Sequence, residues 1–239
     1  MERYVDLDDG KIFVSTYGIE ENFPLVLLHG NSEDSSYFIH QIEYFSDKYF
    51  VIAIDSRAHG KSSYTEGEKL TIDKLADDVI NTLAVMEVEK ANFLGFSDGG
   101  NVAISVALKK PELVNRLVLN GANLNPSGVK LGVNLKIYLT YAHYSFMSLF
   151  KREYKRKKAV WKLMINEPNF TYEQMQSITA KTLVIVGEDD MIKYSHSKKM
   201  SEGKNVTLTV MEGNHFIAVE NPLEFNKEVE EFFEEKASK

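Results

Sequence analysis

The segment 95–99 reads Gly-Phe-Ser-Asp-Gly and is followed directly by another glycine. The apolar residues 91–94 before it predict a short strand, and the residues after it predict a helix. Glycines two positions before and after Ser97 leave room for a tight turn in which the serine takes a strained backbone conformation. A serine on such a strand-to-helix turn has its hydroxyl exposed above a sheet, which is how a nucleophilic serine is presented. Ser97 is therefore the first candidate for chemistry.

Strands and helices alternate on both sides of this turn. Near the N-terminus, the β-prone segments 3–8 and 11–17 flank Asp9-Gly10, a pair that favours a hairpin turn. The further predicted strands are 25–28, 49–54, 91–94, 116–120, 182–186 and 206–211. Continuous apolar runs of this length are typical of strands that are buried on both faces. The order predicts an α/β fold: a doubly wound, mostly parallel sheet of about eight strands with an N-terminal antiparallel pair.

The alternation stops over residues 122–178, which contain no strand-like run. From Phe146 onward the apolar residues recur at helical spacing, so the segment predicts a helical cap inserted into a single domain that spans residues 1–239. Insertions above a sheet commonly line the ligand pocket. The expected pocket residues are Tyr138, Tyr141, Phe146 and Phe150 from the cap, together with Phe216. The basic run 151–158 is interpreted as a solvated helix face; the alternative is a surface that attracts an anionic substrate or a membrane.

The composition disfavours several classes of partner. The chain has 239 residues, no cysteine and a formal net charge of -7, so it can form neither disulfides nor thiolate metal sites, and binding to nucleic acid is not expected. No apolar run approaches the roughly 20 residues that span a bilayer, so stable membrane insertion is not expected. Residues 1–10 are acidic and lack the pattern of a signal peptide. A cytoplasmic location is the expectation, and the oligomeric state is left open.

A serine hydroxyl is a weak nucleophile at neutral pH, and it needs a base together with an acid that orients the base. Two polar loops after late predicted strands supply both. The first contains three adjacent carboxylates, Glu188, Asp189 and Asp190, and the second contains His215. Ligands of open α/β sheets bind beyond the carboxyl ends of the strands, where these loops and the serine turn lie. The residues alone leave the choice among the three carboxylates open.

The combined pattern resembles the α/β-hydrolase family, in particular its capped serine hydrolases. The matching motifs are His29-Gly30, the loop 55–62, the turn at Ser97, the cap, the loop 187–190 and residues 213–215. The resemblance implies that Ser97 is the nucleophile, His215 the general base and Asp190 the acid, because the family places the acid three residues after the glycine. It also implies an oxyanion hole formed by the backbone N–H groups of Asn31 and Asp98, with neither a metal nor an organic cofactor.

Serine at the nucleophile position separates this chain from the relatives that attack with an aspartate, the dehalogenases and epoxide hydrolases. The resemblance therefore implies hydrolysis of a small carboxylic ester through an acyl-enzyme intermediate, and the aromatic residues of the cap favour a hydrophobic acyl or alcohol part. The alternatives are a hydrolase of carbon–carbon bonds in vinylogous diketones and a non-catalytic protein that binds a ligand on this fold. The Asp98 carboxylate is expected to bond nearby loops; the alternative is that it faces the pocket and selects amine-bearing substrates. Asn31 is expected to turn its polar side chain toward the pocket.

Overall fold

A computed structural model describes residues 1–235, in which eight strands form one sheet. The strands are β1 (Glu2–Leu7), β2 (Gly10–Tyr17), β3 (Pro24–Leu28), β4 (Phe50–Ile54), β5 (Ala91–Phe96), β6 (Val114–Asn120), β7 (Lys181–Gly187) and β8 (Val206–Met211). Their order across the sheet is β1-β2-β4-β3-β5-β6-β7-β8. Strand β2 is antiparallel to both of its neighbours, and the remaining pairs are parallel. The predicted fold class is confirmed, including the antiparallel pair at the N-terminal end.

Helices connect the strands and pack on the sheet. They are α1 (Ile39–Phe45), α2 (Ile72–Val85), α3 (Asp98–Lys109), α4 (Leu131–Met147), α5 (Glu153–Asn166), α6 (Tyr172–Ser177), α7 (Tyr194–Met200), α8 (Ile217–Glu220) and α9 (Pro222–Glu234). Helix α2 begins after Thr71, whose Oγ1 accepts a hydrogen bond from the Lys74 N–H at 3.1 Å and so satisfies one of the free N–H groups of the first turn. Within residues 1–235, no helix has both the length and the apolar character needed to cross a membrane.

Alternate residues of the central strands pack on opposite sides of the sheet, as strand geometry requires. In β3, Val26 and Leu28 belong to the core on one side, whereas Leu25 and Leu27 belong to the core on the other side. All four side chains are fully buried. Burial on both faces explains why these strands are continuous apolar runs, and the packed sheet holds the loops at the carboxyl ends of its strands in fixed positions.

We call residues 122–178 the cap; this segment lies between β6 and β7 and contains the helices α4, α5 and α6. Helices α4 and α5 pack against each other. A small separate core at the base of these helices is formed by Val129 and Ile137 together with Ile192, which follows β7. This contact ties the first helix of the cap to the loop that carries the three candidate carboxylates.

Basic residues of the run 151–158 attach α5 to the main domain. The guanidinium of Arg156 donates to the carbonyl oxygens of Ala58 and Gly60 at 2.6 and 3.0 Å. Lys155 pairs with Glu66. The interpretation of this run as a simple solvated helix face is therefore incomplete, because part of it holds the cap against the loops that follow β4.

Buried His196 makes the stability of the fold sensitive to acid. Its Nε2 accepts the Leu124 N–H at 3.0 Å, its Nδ1 lies 2.9 Å from the Tyr172 hydroxyl, and burial lowers its pKa to about 4 from the ordinary 6.5. Between these two pH values the unfolded chain binds a proton that the folded chain does not, so the free energy of unfolding falls as the pH is lowered. We expect His196→Gln to weaken this pH dependence in urea unfolding between pH 7.5 and 4.5.

The matched control is His143→Gln, on the exposed side of α4. This variant should keep the pH dependence of the wild type, which also includes the other titrating groups. A pH dependence that is the same in the wild type and in His196→Gln would contradict the prediction.

Candidate active site

Ser97 forms the junction between β5 and α3. Its backbone has φ 51° and ψ -118°, in the region that residues with a side chain rarely adopt. The Ser97 N–H donates to the carbonyl oxygen of Asn120 at 2.8 Å, which ties the turn to the end of β6. The residue is half-buried, and within residues 1–235 its hydroxyl makes no hydrogen bond. The strained turn that the sequence predicts is therefore present, with Ser97 at its tip.

Two glycines make this turn possible. A Cβ on Gly95 would collide with the backbone of Gly99 and Gly100, on the first turn of α3. A Cβ on Gly99 would collide with the carbonyl groups of Leu28 and His29, at the end of β3. Because all of these obstacles are backbone atoms in a packed sheet, no side chain could be accommodated by a rotamer change. The spacing of the glycines is thus a steric requirement of the turn.

Asp190 and His215 form a buried pair at the same end of the sheet. The Asp190 Oδ1 accepts from the His215 Nδ1 at 2.7 Å and from the Ile192 N–H at 2.8 Å. Asp190 is 2% exposed and His215 is 5% exposed, whereas Glu188 and Asp189 are exposed. Of the three candidate carboxylates, it is Asp190 that meets the histidine.

The contact with Asp190 determines which imidazole nitrogen carries the proton. A carboxylate can only accept, so the His215 Nδ1 is the protonated nitrogen and Nε2 has a free lone pair. His215 Nε2 is buried and has no hydrogen-bond partner within residues 1–235. With this lone pair free, Nε2 can accept a proton from another group.

Aromatic rings and a glycine surround the imidazole. The Phe96 ring, one residue before Ser97, lies 4.8 Å from the His215 ring between centroids, and Tyr37 stacks on Phe96 at 4.2 Å. On the other side is Gly121, where a Cβ would come within 2.7 Å of the His215 Nδ1. Gly121 has φ 61° and directly follows β6. In the sequence, its place directly after a predicted strand is the feature that could have indicated a role at the site. Sequence reasoning missed both Gly121 and Tyr37.

The Asn31 and Asp98 backbone N–H groups donate to no other group within residues 1–235, so they are free to bind a ligand. Their side chains, however, bond to each other: the Asn31 Nδ2 donates to the Asp98 Oδ2 at 2.9 Å. The same amide donates to the Val160 carbonyl oxygen in α5 at 3.0 Å. The Asn31 amide group thus links the loop after β3 to α5, and the expectation that its side chain faces the pocket stays a prediction.

The Asp98 side chain is buried and bonded through both oxygens. Besides Asn31, it accepts from the Asn101 Nδ2 at 3.2 Å, and burial raises the pKa of the carboxyl group. These contacts fit the expectation that Asp98 bonds nearby loops.

His29 holds the loop after β3 through both ring nitrogens. Its Nδ1 lies 2.8 Å from the Gly30 carbonyl oxygen, and its Nε2 accepts the Ser56 N–H at 3.0 Å. Burial lowers the pKa of this imidazole, so the ring remains neutral at physiological pH. The role of His29 is to connect the loops that follow β3 and β4.

A cavity of about 660 Å³ lies between the cap and these loops. The lining includes Ser32, Glu33 and His59 from the main domain and Tyr144, Arg156 and Trp161 from the cap. Burial raises the pKa of Glu33 to about 7, a perturbation that its place in a polar loop did not predict. Ser97, Asp190 and His215 do not line this cavity. Val160, which lines the cavity, accepts from the Asn31 amide, and the same amide donates to Asp98 next to Ser97.

Of the five expected pocket residues, one lies beside the candidate site and four lie elsewhere. Phe216 is 45% exposed and its ring lies 5.6 Å from the His215 ring, beside the candidate site. In contrast, Tyr138, Phe146 and Phe150 are more than half exposed on the cap, and Tyr141 is half-buried. None of these four lines the cavity, whose cap aromatics are Tyr144 and Trp161. Within residues 1–235, no cluster of three His, Asp or Glu side chains could hold a metal ion.

The fold and the arrangement at Ser97 define a class: α/β proteins with a serine on a strained turn beside a buried carboxylate–histidine pair. The sequence model of the alpha/beta hydrolase fold matches residues 24–139. Together with the relatives below, this match shows that the chain belongs to the α/β-hydrolase family.

Three similar proteins illustrate the range of hydrolases that the chain resembles. It is 24% identical to the putative carbamate hydrolase RutD of Rhizobium rhizogenes, over 87% of this chain and 91% of that protein. It is 36% identical to 3-oxoadipate enol-lactonase 2 of Acinetobacter baylyi, over 44% of this chain and 39% of that protein. A meta-cleavage product hydrolase from Pseudomonas fluorescens superposes with a TM-score of 0.78 at 25% identity, over 97% of both chains. These likenesses support hydrolase activity on this fold.

Proposed function

We propose that this protein is a serine hydrolase that cleaves a small carboxylic ester through an acyl-enzyme intermediate. The observation that carries the proposal is the buried bond of 2.7 Å between Asp190 and His215, which leaves an unpartnered Nε2 at the end of the sheet where Ser97 lies. No hydrogen bond joins Ser97 to His215 within residues 1–235. Such bonds often tighten only when substrate is bound.

The proposed reaction begins with the transfer of the Ser97 hydroxyl proton to the His215 Nε2 while Oγ attacks the ester carbonyl carbon. The negative charge that develops on the carbonyl oxygen is bound by the N–H groups of Asn31 and Asp98. The imidazolium, stabilised by Asp190, then protonates the leaving alcohol as the carbon–oxygen bond breaks. A water molecule, deprotonated by His215, attacks the acyl-enzyme and releases the acid with Ser97 restored.

The free N–H groups of Asn31 and Asp98 support the oxyanion part of this mechanism. Loss of one such donor typically costs about 3 kcal/mol of transition-state stabilisation. The side-chain bond between the two residues fixes their loops relative to each other. Donors that are already in place need no reorganisation during the reaction.

Aromatic residues beside His215 favour a substrate with a hydrophobic acyl or alcohol part. Phe96, Phe216 and Tyr37 form this wall, with Phe96 and Phe216 5.7 Å apart between ring centroids. The preference for a hydrophobic substrate therefore rests on these rings rather than on the four cap aromatics named from the sequence.

The second candidate is cleavage of a carbon–carbon bond in a vinylogous diketone, which the likeness to the meta-cleavage product hydrolase favours. The third, a ligand-binding protein without catalysis, is disfavoured by the buried Asp190–His215 pair. A binding pocket would have no need for an imidazole oriented by a carboxylate.

A substrate panel separates these candidates. We expect measurable hydrolysis of short-chain aryl esters, monitored by release of the aryl alcohol, and no turnover of a dienoic diketone. A lactone and a carbamate extend the panel toward the named activities of the relatives. Turnover of the diketone with inert esters would replace the ester proposal by the carbon–carbon alternative, and inertness toward all four classes would contradict both.

A further inference from the structure

Helix α4 has an apolar face that nothing covers within residues 1–235. We call it the outer face of α4 and define it by residues that are each between 52% and 81% exposed, including the two that follow the helix. These residues are Leu131, Leu135, Tyr138, Leu139, Phe146, Leu149 and Phe150. So many large apolar side chains in one continuous exposed area are typical of an interaction surface.

The outer face lies opposite the side of α4 that packs against α5. At about 100° of rotation per residue, the exposed residues fall within roughly one third of the helix circumference, and buried Ile137 and Ser148 fall on the other side. A helix that is apolar all round is normally buried all round. Since the fold covers only one side of α4, the other side is available to a partner.

The charges around the outer face indicate the chemistry of that partner. Residues 113–152 contain no Asp or Glu, although the whole chain has 35 of them. Exposed Lys136 borders the outer face at helical spacing, exposed Lys130 and Lys151 lie at the two ends of α4, and none of the three forms an ion pair within residues 1–235. The surface is thus apolar with a cationic border on a protein whose net charge is -7.

We propose that the outer face of α4 docks on the surface of a membrane that contains anionic lipid. A helix that exposes an apolar face in this way lies in the plane of the interface, with its apolar residues below the headgroups and its lysines beside the lipid phosphates. A second copy of the chain fits less well. Two such faces packed together would bring lysines close to lysines with no carboxylate between them.

The experiment is sedimentation of the full chain with vesicles of phosphatidylcholine, with and without phosphatidylglycerol. We expect sedimentation with the anionic vesicles, little with phosphatidylcholine alone, and weaker binding at high salt. The triple variant Leu135→Ser, Leu139→Ser and Phe146→Ser should lose binding. Lys136→Glu should weaken it roughly tenfold, because it reverses a charge beside the headgroups.

The matched control is Leu223→Ser, which replaces a leucine that is 75% exposed on α9 and outside the outer face. It should bind as the wild type does, and circular dichroism should show that all variants are folded. Sedimentation velocity without vesicles tests the alternative that a second copy of the chain covers the outer face of α4. Failure to bind anionic vesicles, binding that survives in the triple variant, or a dimer that this variant dissociates would each overturn the proposal. Because turnover is not measured, these results do not depend on the proposed esterase activity.

Discussion

Replacement of Ser97 by alanine is expected to abolish labelling by a fluorophosphonate probe and to lower kcat/KM for an aryl ester by about 10⁴- to 10⁶-fold. The reason is that the proposed reaction has no other nucleophile: without Oγ, only the oxyanion donors and substrate binding remain. The fold should be retained. The Ser97 hydroxyl makes no hydrogen bond within residues 1–235, so its removal breaks no hydrogen bond of the fold.

The matched control for this prediction is Ser32→Ala. Ser32 also has a positive φ of 65°, lies in the loop after β3 and lines the cavity, but it is exposed and far in sequence from the turn. This variant should be labelled by the fluorophosphonate probe and should hydrolyse the aryl ester as the wild type does. Labelling that persists in Ser97→Ala would show that Ser97 is not the nucleophile.

The fold could be predicted because its signal is local and repeated. Each central strand is a short apolar run between polar loops, and residues 25–28 remain apolar throughout because both faces of the sheet are covered. The turn at Ser97 could be predicted for a similar reason, since Gly95 is required by backbone contacts with Gly99 and Gly100, within a few residues of the serine. Local sterics leave a readable pattern in the sequence.

The parts of the site that depend on contacts between distant residues could not be predicted from local sequence patterns. Residue type alone did not distinguish Asp190 from its two carboxylate neighbours, because what separates them is burial against His215, 25 residues further along the chain. Gly121 is required by the imidazole ring and not by its own turn alone. Contacts of this kind have no periodicity in the sequence.

The cap is a further part of the structure that depends on long-range contacts and could not be predicted in detail from the sequence. Aromatic residues at helical spacing indicate a helix with an apolar face, but they do not indicate which face packs inward. Tyr144 and Trp161 line the cavity, whereas Tyr138 and Phe146 belong to the outer face of α4. The distinction depends on how α4 packs against α5, a contact between two helices that sequence periodicity cannot assign.

Asp190→Asn is expected to lower kcat/KM for an aryl ester by about 10⁴-fold, whereas Asp189→Asn should change it by less than about tenfold. In the wild type the Asp190 carboxylate accepts from the His215 Nδ1, so Nε2 is free to take the serine proton. An asparagine can present its N–H₂ group to Nδ1, which favours the tautomer with the proton on Nε2. That tautomer cannot act as the base toward Ser97, and the imidazolium loses its stabilising charge.

The comparison between the two variants is informative because they remove the same charge from adjacent residues in different environments. Asp189 is exposed, whereas Asp190 is 2% exposed and bonded to His215. Nitrogen-15 NMR of the His215 ring would report the tautomer directly and should show protonated Nε2 only in Asp190→Asn. Equal losses of activity in the two variants would indicate a general effect of charge, and a fully active Asp190→Asn would remove Asp190 from the proposed mechanism.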